Sequence, residues 1–252
     1  MATYTIAVDV GGTFTDIVLS DLETGKLHLL KTPSTPEDPS QGILIGVSQI
    51  LSLNGVRPNQ IQRVFHGTTI ATNAILEGKG TRVGVIVSEG FKYVLEIGRH
   101  SMARLANPHV WQKPERPVPP ENVVEVPERT SFDGTVITPL NEDAVRVAAR
   151  YFRELGINSI AVSLLHSYAS QLNERRVAQL MLQEFPEAHI SLSSDVLPVF
   201  REYERTITTV LNAYVSPQVS YYIENLGNRL IEHGVDAPLL IMKSNGGVIG
   251  VE

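Results

Sequence analysis

Asp9-Val10-Gly11-Gly12-Thr13-Phe14-Thr15-Asp16 joins two β-rich runs, Tyr4 to Val10 and Phe14 to Ser20, and its reading decides the fold. The first run is almost continuously apolar, the pattern of a strand buried on both faces, and Gly11-Gly12 interrupts it. A third strand-like run, Leu27 to Thr32, follows the turn Asp21 to Gly25. Three strands joined by short turns exclude a dinucleotide-binding βαβ opening, in which a helix follows the first glycine-rich turn directly. A Gly-Gly turn exposes backbone N–H groups, neighbouring threonine hydroxyls can donate to phosphate oxygens, and an acidic side chain can hold a hydrated magnesium ion. The stretch therefore reads as a phosphate hairpin. An ordinary hairpin with a glycine turn is the plain alternative, and it leaves the acids at both ends of the turn unexplained.

Outward from the hairpin, Pro39 introduces a helical stripe of Ile43, Val47, Ile50 and Leu51 that stops near Asn54-Gly55. Gly42 and Gly46 share one face of it and permit a close neighbour. The strand Arg63 to His66 leads through Gly67-Thr68-Thr69 into a short helix ending near Gly78, and Arg82 to Ser88 is the next strand. From His100 to Pro127 the chain carries Pro108, Pro114, Pro117, Pro119, Pro120 and Pro127, which places a domain boundary near residue 130. Arg99, Arg104 and Arg116 in and beside this stretch read most simply as solvated surface. Beyond it the pattern is α/β: a helix capped by Thr138 with Pro139 in its first turn, a strand Ile157 to Leu165, a helix Leu172 to Phe185 and a strand His189 to Ser193. Two helices, Tyr203 to Ala213 and one begun by Ser216-Pro217, precede a last strand, Pro238 to Met242.

The chain has 252 residues, 42% of them hydrophobic and 19% charged, ample for a core and inconsistent with disorder or a fibre. Twenty-one basic against 27 acidic residues, net −6, disfavour a nucleic-acid-binding face. The lack of cysteine excludes disulfides, thiolate metal sites and a cysteine nucleophile. No apolar run approaches the roughly 20 residues that span a bilayer and no signal peptide is visible, so a cytoplasmic protein is expected. P-loop, His-Glu-x-x-His and Gly-x-Ser-x-Gly sequences are absent, which removes the P-loop, zinc-protease and serine-hydrolase mechanisms.

A second polar cluster, His66, Thr68, Thr69, Thr72 and Asn73, sits where a strand meets a helix. Its residues can cap the helix or line an active cleft. His66 can act as a donor or acid–base group, or be a hydrogen-bonded core residue. Arg201, Glu202, Glu204 and Arg205 fall within one and a half helical turns, where an ion network is as natural as a catalytic role. Asp195 can bind magnesium or substrate, or cap a helix.

The opening motif resembles the first phosphate motif of the actin, Hsp70 and sugar-kinase ATPase superfamily, and more specifically the ATP-dependent hydantoinase A and 5-oxoprolinase family. Three further stretches are similar to that family: His66-Gly67-Thr68-Thr69-Ile70-Ala71-Thr72-Asn73-Ala74; Gly90-Phe91 through Leu95-Glu96-Ile97-Gly98-Arg99; and Ser194-Asp195-Val196-Leu197-Pro198 through Arg201-Glu202-Tyr203-Glu204-Arg205. The resemblance continues into Asn212-Ala213-Tyr214-Val215 and Ser244-Asn245-Gly246-Gly247. It implies an α/β fold, an incomplete actin-like (ribonuclease H-like) ATPase lobe with a mixed sheet, spanning residues 1–130, and a small α/β region with the start of the remaining core over 131–252. It implies ATP and Mg2+ as cofactors and a cyclic amide or imide, such as a hydantoin or 5-oxoproline, as the substrate phosphorylated and hydrolysed. Gly11, Gly12, Thr13, Thr15, Asp16 and Thr68 are then expected at the nucleotide, and Asp9, Thr69 and His66 in catalysis, with Asp9 holding magnesium through water. Asn73, Arg99, Asp195 and Arg201 are expected at the substrate. A hydantoinase B-type subunit or fused domain is the expected partner. No second phosphate loop follows Asp9, so the chain reads as the N-terminal part of such an enzyme. A nucleotide-binding subunit of an acetone- or acetophenone-type carboxylase, or a truncated non-catalytic binding module, are the alternatives.

Overall fold

The computed structural model describes residues 3–35, 38–99 and 118–251. In it β1 (Tyr4–Val10), β2 (Phe14–Asp21) and β3 (Leu27–Pro33) form the antiparallel meander read from the opening sequence. The apolar run of β1 implied burial on both faces, but the strand buries one: Ile6, Val8 and Val10 point into a core, whereas Asp9 is exposed on the opposite face. Pairing brings Asp9 opposite Asp16, and Asp16 opposite Lys31, so these charges form a row across that face. Helix α1 (Pro39–Leu53) covers the apolar face with Ile43, Leu44, Val47, Ile50 and Leu51. Gly46 is required there, because a Cβ would overlap the Ile17 side chain. Strand β4 (Ile61–Thr68) then runs parallel to β1 and leads into the short helix α2 (Ile70–Leu76).

The second unit holds Gly78–Pro217. It contains β5 (Val83–Ser88), α3 (Val94–Ile97), β6 (Val123–Val126), the small hairpin β7 (Arg129–Thr130) and β8 (Val136–Thr138), α4 (Glu142–Glu154), β9 (Ser159–Ser163), α5 (Leu172–Glu184), β10 (His189–Leu192) and α6 (Ser193–Val196). The four parallel strands lie in the order β10-β9-β5-β6, with β5 and β9 entirely buried. Val145, Ala148 and Phe152 of α4 and Val177, Leu180 and Met181 of α5 pack into one core, each large side chain contributing about 1.5–3 kcal/mol. Thr138 does not cap α4: it ends β8, and the cap is Asn141, whose side chain accepts from the Ala144 amide at 3.0 Å. Residue 130 falls inside this unit, since β6 before it pairs with β5, whose other neighbour β9 comes after it. Pro108, Pro114, Pro117, Arg104 and Arg116 lie outside the described residues.

Helix α7 (Glu202–Glu232) is one helix where the sequence suggested two, with Pro217 inside it. Proline cannot donate to the carbonyl four residues back, here Ala213. That carbonyl takes the Ser159 hydroxyl instead, at 2.6 Å, and the next one, of Tyr214, takes the Thr81 amide at 3.0 Å. From Gln218 the chain belongs to the first unit, Met1–Glu77 with Gln218–Glu252, where Tyr222, Leu226 and Leu230 join the core of α1 and β1. Strand β11 (Leu239–Met242) pairs parallel to β4, and β12 (Val248–Gly250), in the tail that the sequence left without structure, pairs back on β11. The finished sheet, β12-β11-β4-β1-β2-β3, is mixed, as the sequence reading expects.

Candidate active site

The tip of the β1–β2 hairpin is built from hydrogen bonds that use some of its groups and spare others. The Gly11 amide donates to the Phe14 carbonyl at 3.0 Å, closing the turn. A Cβ at Gly11 would stand 3.0 Å from that same carbonyl, so this position stays glycine for want of room, and neither Gly11 nor Gly12 adopts positive φ. Ser34, just past β3, donates its hydroxyl to the Gly11 carbonyl at 2.8 Å, and its amide to the Thr13 carbonyl at 2.9 Å. It also meets the fully buried Thr15 hydroxyl at 3.0 Å. Among the described residues no hydrogen bond uses the Gly12 amide, the Thr13 amide or the Thr13 hydroxyl, and both residues are exposed. Two successive free N–H groups make a small anion-binding concavity.

These contacts divide the expected nucleotide set. Gly12 and Thr13 present unclaimed donors. The Gly11 amide is consumed inside the turn, and the Thr15 hydroxyl points into the sheet as an anchor for Ser34. Asp16 is exposed and forms an ion pair with Lys31 at 3.1 Å. The Asp9 carboxylate makes no hydrogen bond or ion pair among the described residues, and it lies over Gly67 of the adjacent strand, where a Cβ would stand 3.2 Å from Oδ1.

The strand β4 brings the second polar cluster alongside. Val10 and Thr68 are paired, so the hairpin and the start of α2 are neighbours at the same end of the sheet. Thr68 Oγ1 accepts from the Ile70 amide at 3.3 Å, and Asn73 Nδ2 donates to Thr69 Oγ1 at 3.3 Å, both side chains serving the helix start. His66 is not at the surface. Its ring is fully buried, with Nδ1 3.3 Å from the Val8 carbonyl and Nε2 2.8 Å from the Tyr222 hydroxyl. A carbonyl can only accept, so Nδ1 carries the proton and Nε2 accepts from tyrosine. Burial pushes the histidine pKa down and the Tyr222 pKa up. With both nitrogens hydrogen-bonded, the buried His66 ring ties β4 to the Val8 carbonyl and to Tyr222.

The remaining candidates belong to the second unit. Arg99 makes a two-point pair with Glu204, Asp195 a two-point pair with Arg175, and the Arg201 guanidinium lies over the Phe200 ring at 5.5 Å. Arg205 is wholly buried and donates to the Val199 and Leu164 carbonyls at 2.7 and 2.9 Å. Sequence reading missed Ser34 and Tyr222, whose partners lie 19 to 156 residues away and share no local pattern with them.

No group of three or more histidine, cysteine or acidic side chains placed to hold a metal occurs among the described residues. Asp9, exposed and unpaired beside a turn with free donors, suits an ion that keeps most of its water and takes its other ligands from phosphate.

Residues 5–185 match the hydantoinase/oxoprolinase N-terminal region, and residues 205–252 match hydantoinase/oxoprolinase. The crystal structure of the ATP-dependent caprolactamase from Pseudomonas jessenii superposes with a TM-score of 0.88 at 33% identity, over 97% of this chain and 36% of that one. The nucleotide-free structure of acetone carboxylase, from work on ATP-dependent acetone carboxylation, also gives 0.88, at 29% identity over 100% and 38%. The 5-oxoprolinase 1 of Arabidopsis thaliana is 30% identical over 96% of this chain and 21% of its own length. The chain spans 36% of the length of the first curated relatives that it matches.

Proposed function

We propose, from the premise that this chain belongs to the hydantoinase/oxoprolinase family, that it supplies the phosphate hairpin of an ATP-dependent enzyme that activates and opens a cyclic amide or imide. The observation that carries this reading is the exposed turn in which the Gly12 and Thr13 amides and the Thr13 hydroxyl have no partner among the described residues, three and four positions after Asp9.

Amide resonance makes a lactam carbonyl a poor electrophile, and transfer of the γ-phosphoryl group to its oxygen removes that resonance. The bond from the γ-phosphorus to the bridging oxygen breaks and ADP leaves. Water adds to the activated carbon, the C–N bond breaks with the proton going to nitrogen, and a second water cleaves the resulting acyl phosphate to carboxylate and orthophosphate. Such a transfer depends on positioning and charge compensation rather than on a side-chain nucleophile. The Gly12 and Thr13 amides and the Thr13 hydroxyl hold and orient the phosphate oxygens. Asp9, at the strand end, would hold the hydrated ion. Bound magnesium would neutralise charge on the phosphates. Thr68, Thr69 and Asn73 keep the neighbouring helix start in register with the hairpin. A B-type subunit or fused domain completes the ring-opening site.

A second reading, the nucleotide-handling subunit of a ketone carboxylase, is favoured by the equal superposition on acetone carboxylase. The test is phosphate release by the full-length gene product with its neighbouring subunit, offered hydantoin, 5-oxoproline, caprolactam, acetone and acetophenone. Stimulation by a lactam or imide is expected, and stimulation by ketones alone assigns the carboxylase reading. Asp9→Ala should lower magnesium-dependent turnover by about 100-fold or more while leaving the fold intact.

A further inference from the structure

Ser34 touches the hairpin at three points, the Gly11 carbonyl, the Thr13 carbonyl and the Thr15 hydroxyl. A trans peptide holds its C=O and N–H in opposite directions, and no peptide in the chain is cis among the described residues. The peptide joining Gly11 to Gly12 therefore has a fixed sense. With the Gly11 oxygen held by the Ser34 hydroxyl at 2.8 Å, the Gly12 N–H must point away from Ser34 into solvent. Were that carbonyl free, the peptide plane could turn over and present an oxygen, which repels phosphate, in place of a donor.

The position of Ser34 is itself imposed by packing. The β3 residue Thr32 is buried, and its methyl group lies where a Cβ on Gly46 of α1 would come within 3.1 Å. On the other side of Ser34, the Thr35 hydroxyl accepts from the Gly42 amide of α1 at 2.9 Å. The two glycines that let α1 lie close to the sheet thus grip the chain on both sides of Ser34.

We infer that Ser34 is a positioning residue for nucleotide: it sets the peptide plane that aims the Gly12 N–H at the phosphates, without touching them. This rests on the hairpin reading under Proposed function and adds a residue to it.

The experiment uses the full-length gene product with its partner subunit and compares Ser34→Ala, Ser34→Thr, Thr15→Val and Gly12→Ala, each scored per folded molecule for KM(ATP) and kcat. A Cβ on Gly12 meets nothing within 4 Å, so that variant has room to fold, and on the hairpin reading its methyl group should crowd the phosphates. Ser34→Ala should raise KM(ATP) roughly three- to ten-fold, the range set by one lost hydrogen bond. Ser34→Thr, which keeps the hydroxyl, should restore it. Thr15→Val, which keeps the shape and removes the hydroxyl behind Ser34, should move KM the same way and serves if Ser34→Ala does not fold. Unchanged KM(ATP) in the Ser34 and Thr15 variants, beside a raised KM in Gly12→Ala, overturns the inference and leaves the hairpin reading standing. Unchanged KM in all of them overturns both.

Discussion

Tyr222 and His66 show how much a single buried contact decides in this lobe. The tyrosine hydroxyl is the donor that His66 Nε2 needs, and replacing it with hydrogen leaves a buried acceptor unpaired. Tyr222→Phe should therefore destabilise the protein by about 1–3 kcal/mol, read as a lower urea midpoint at unchanged slope. An unchanged midpoint would mean that the ring nitrogen needs no partner. The same burial holds the His66 pKa below its ordinary value of about 6.5. The unfolded chain then binds the proton more readily than the folded one, so this stabilisation is complete above about pH 6.5 and is lost as the pH falls through that value towards the folded pKa. By NMR, His66 should be less than half protonated at pH 6.5, where an ordinary histidine is half protonated. Half-protonation there would contradict the assignment. The hairpin acids, glycines and threonines were legible as a set in the sequence, because the chemistry is packed into eight consecutive residues. Which of their groups stay free was not, since that depends on Ser34, a partner just past β3.

Helix α7 marks the limit of local reading at the scale of an element. Ser216-Pro217 is a sound breaking signal, yet the helix runs through it, with Ser159 and Thr81 donating to the carbonyls of Ala213 and Tyr214. Ser159 is fully buried, so Ser159→Ala should leave the Ala213 carbonyl unpaired and lower the stability of the second unit by about 1–3 kcal/mol in denaturant unfolding. No change would mean that the helix satisfies this carbonyl by itself. The strands β5 and β9 were legible in the runs Arg82 to Ser88 and Ile157 to Leu165, the first through its β-branched residues, and both are buried on the two faces as parallel strands are. The start of α4 was misplaced by three residues because Thr138 and Asn141 both carry cap chemistry and only the turn after β8 decides between them. The strand β12 was missed because its three residues have no pattern until β11 lies beside them.

For the molecule as a whole, the sequence carried the lobe and its kinship through several motifs spread along the chain, whereas the division into units follows strand pairing that no local composition reports. A proline-rich stretch resembles a boundary, yet the parallel pairing of β5 with both β6 and β9 keeps both sides of it together. Among the described residues no helix is long and apolar enough to cross a membrane. The central claim is that the tip of the β1–β2 hairpin receives the terminal phosphates of a nucleotide. A structure of the full-length protein with magnesium and a non-hydrolysable ATP analogue tests it most directly. The account predicts phosphate oxygens within about 3 Å of the Gly12 and Thr13 amides and a water-ligated ion beside Asp9. Nucleotide bound with those amides still facing solvent would contradict it.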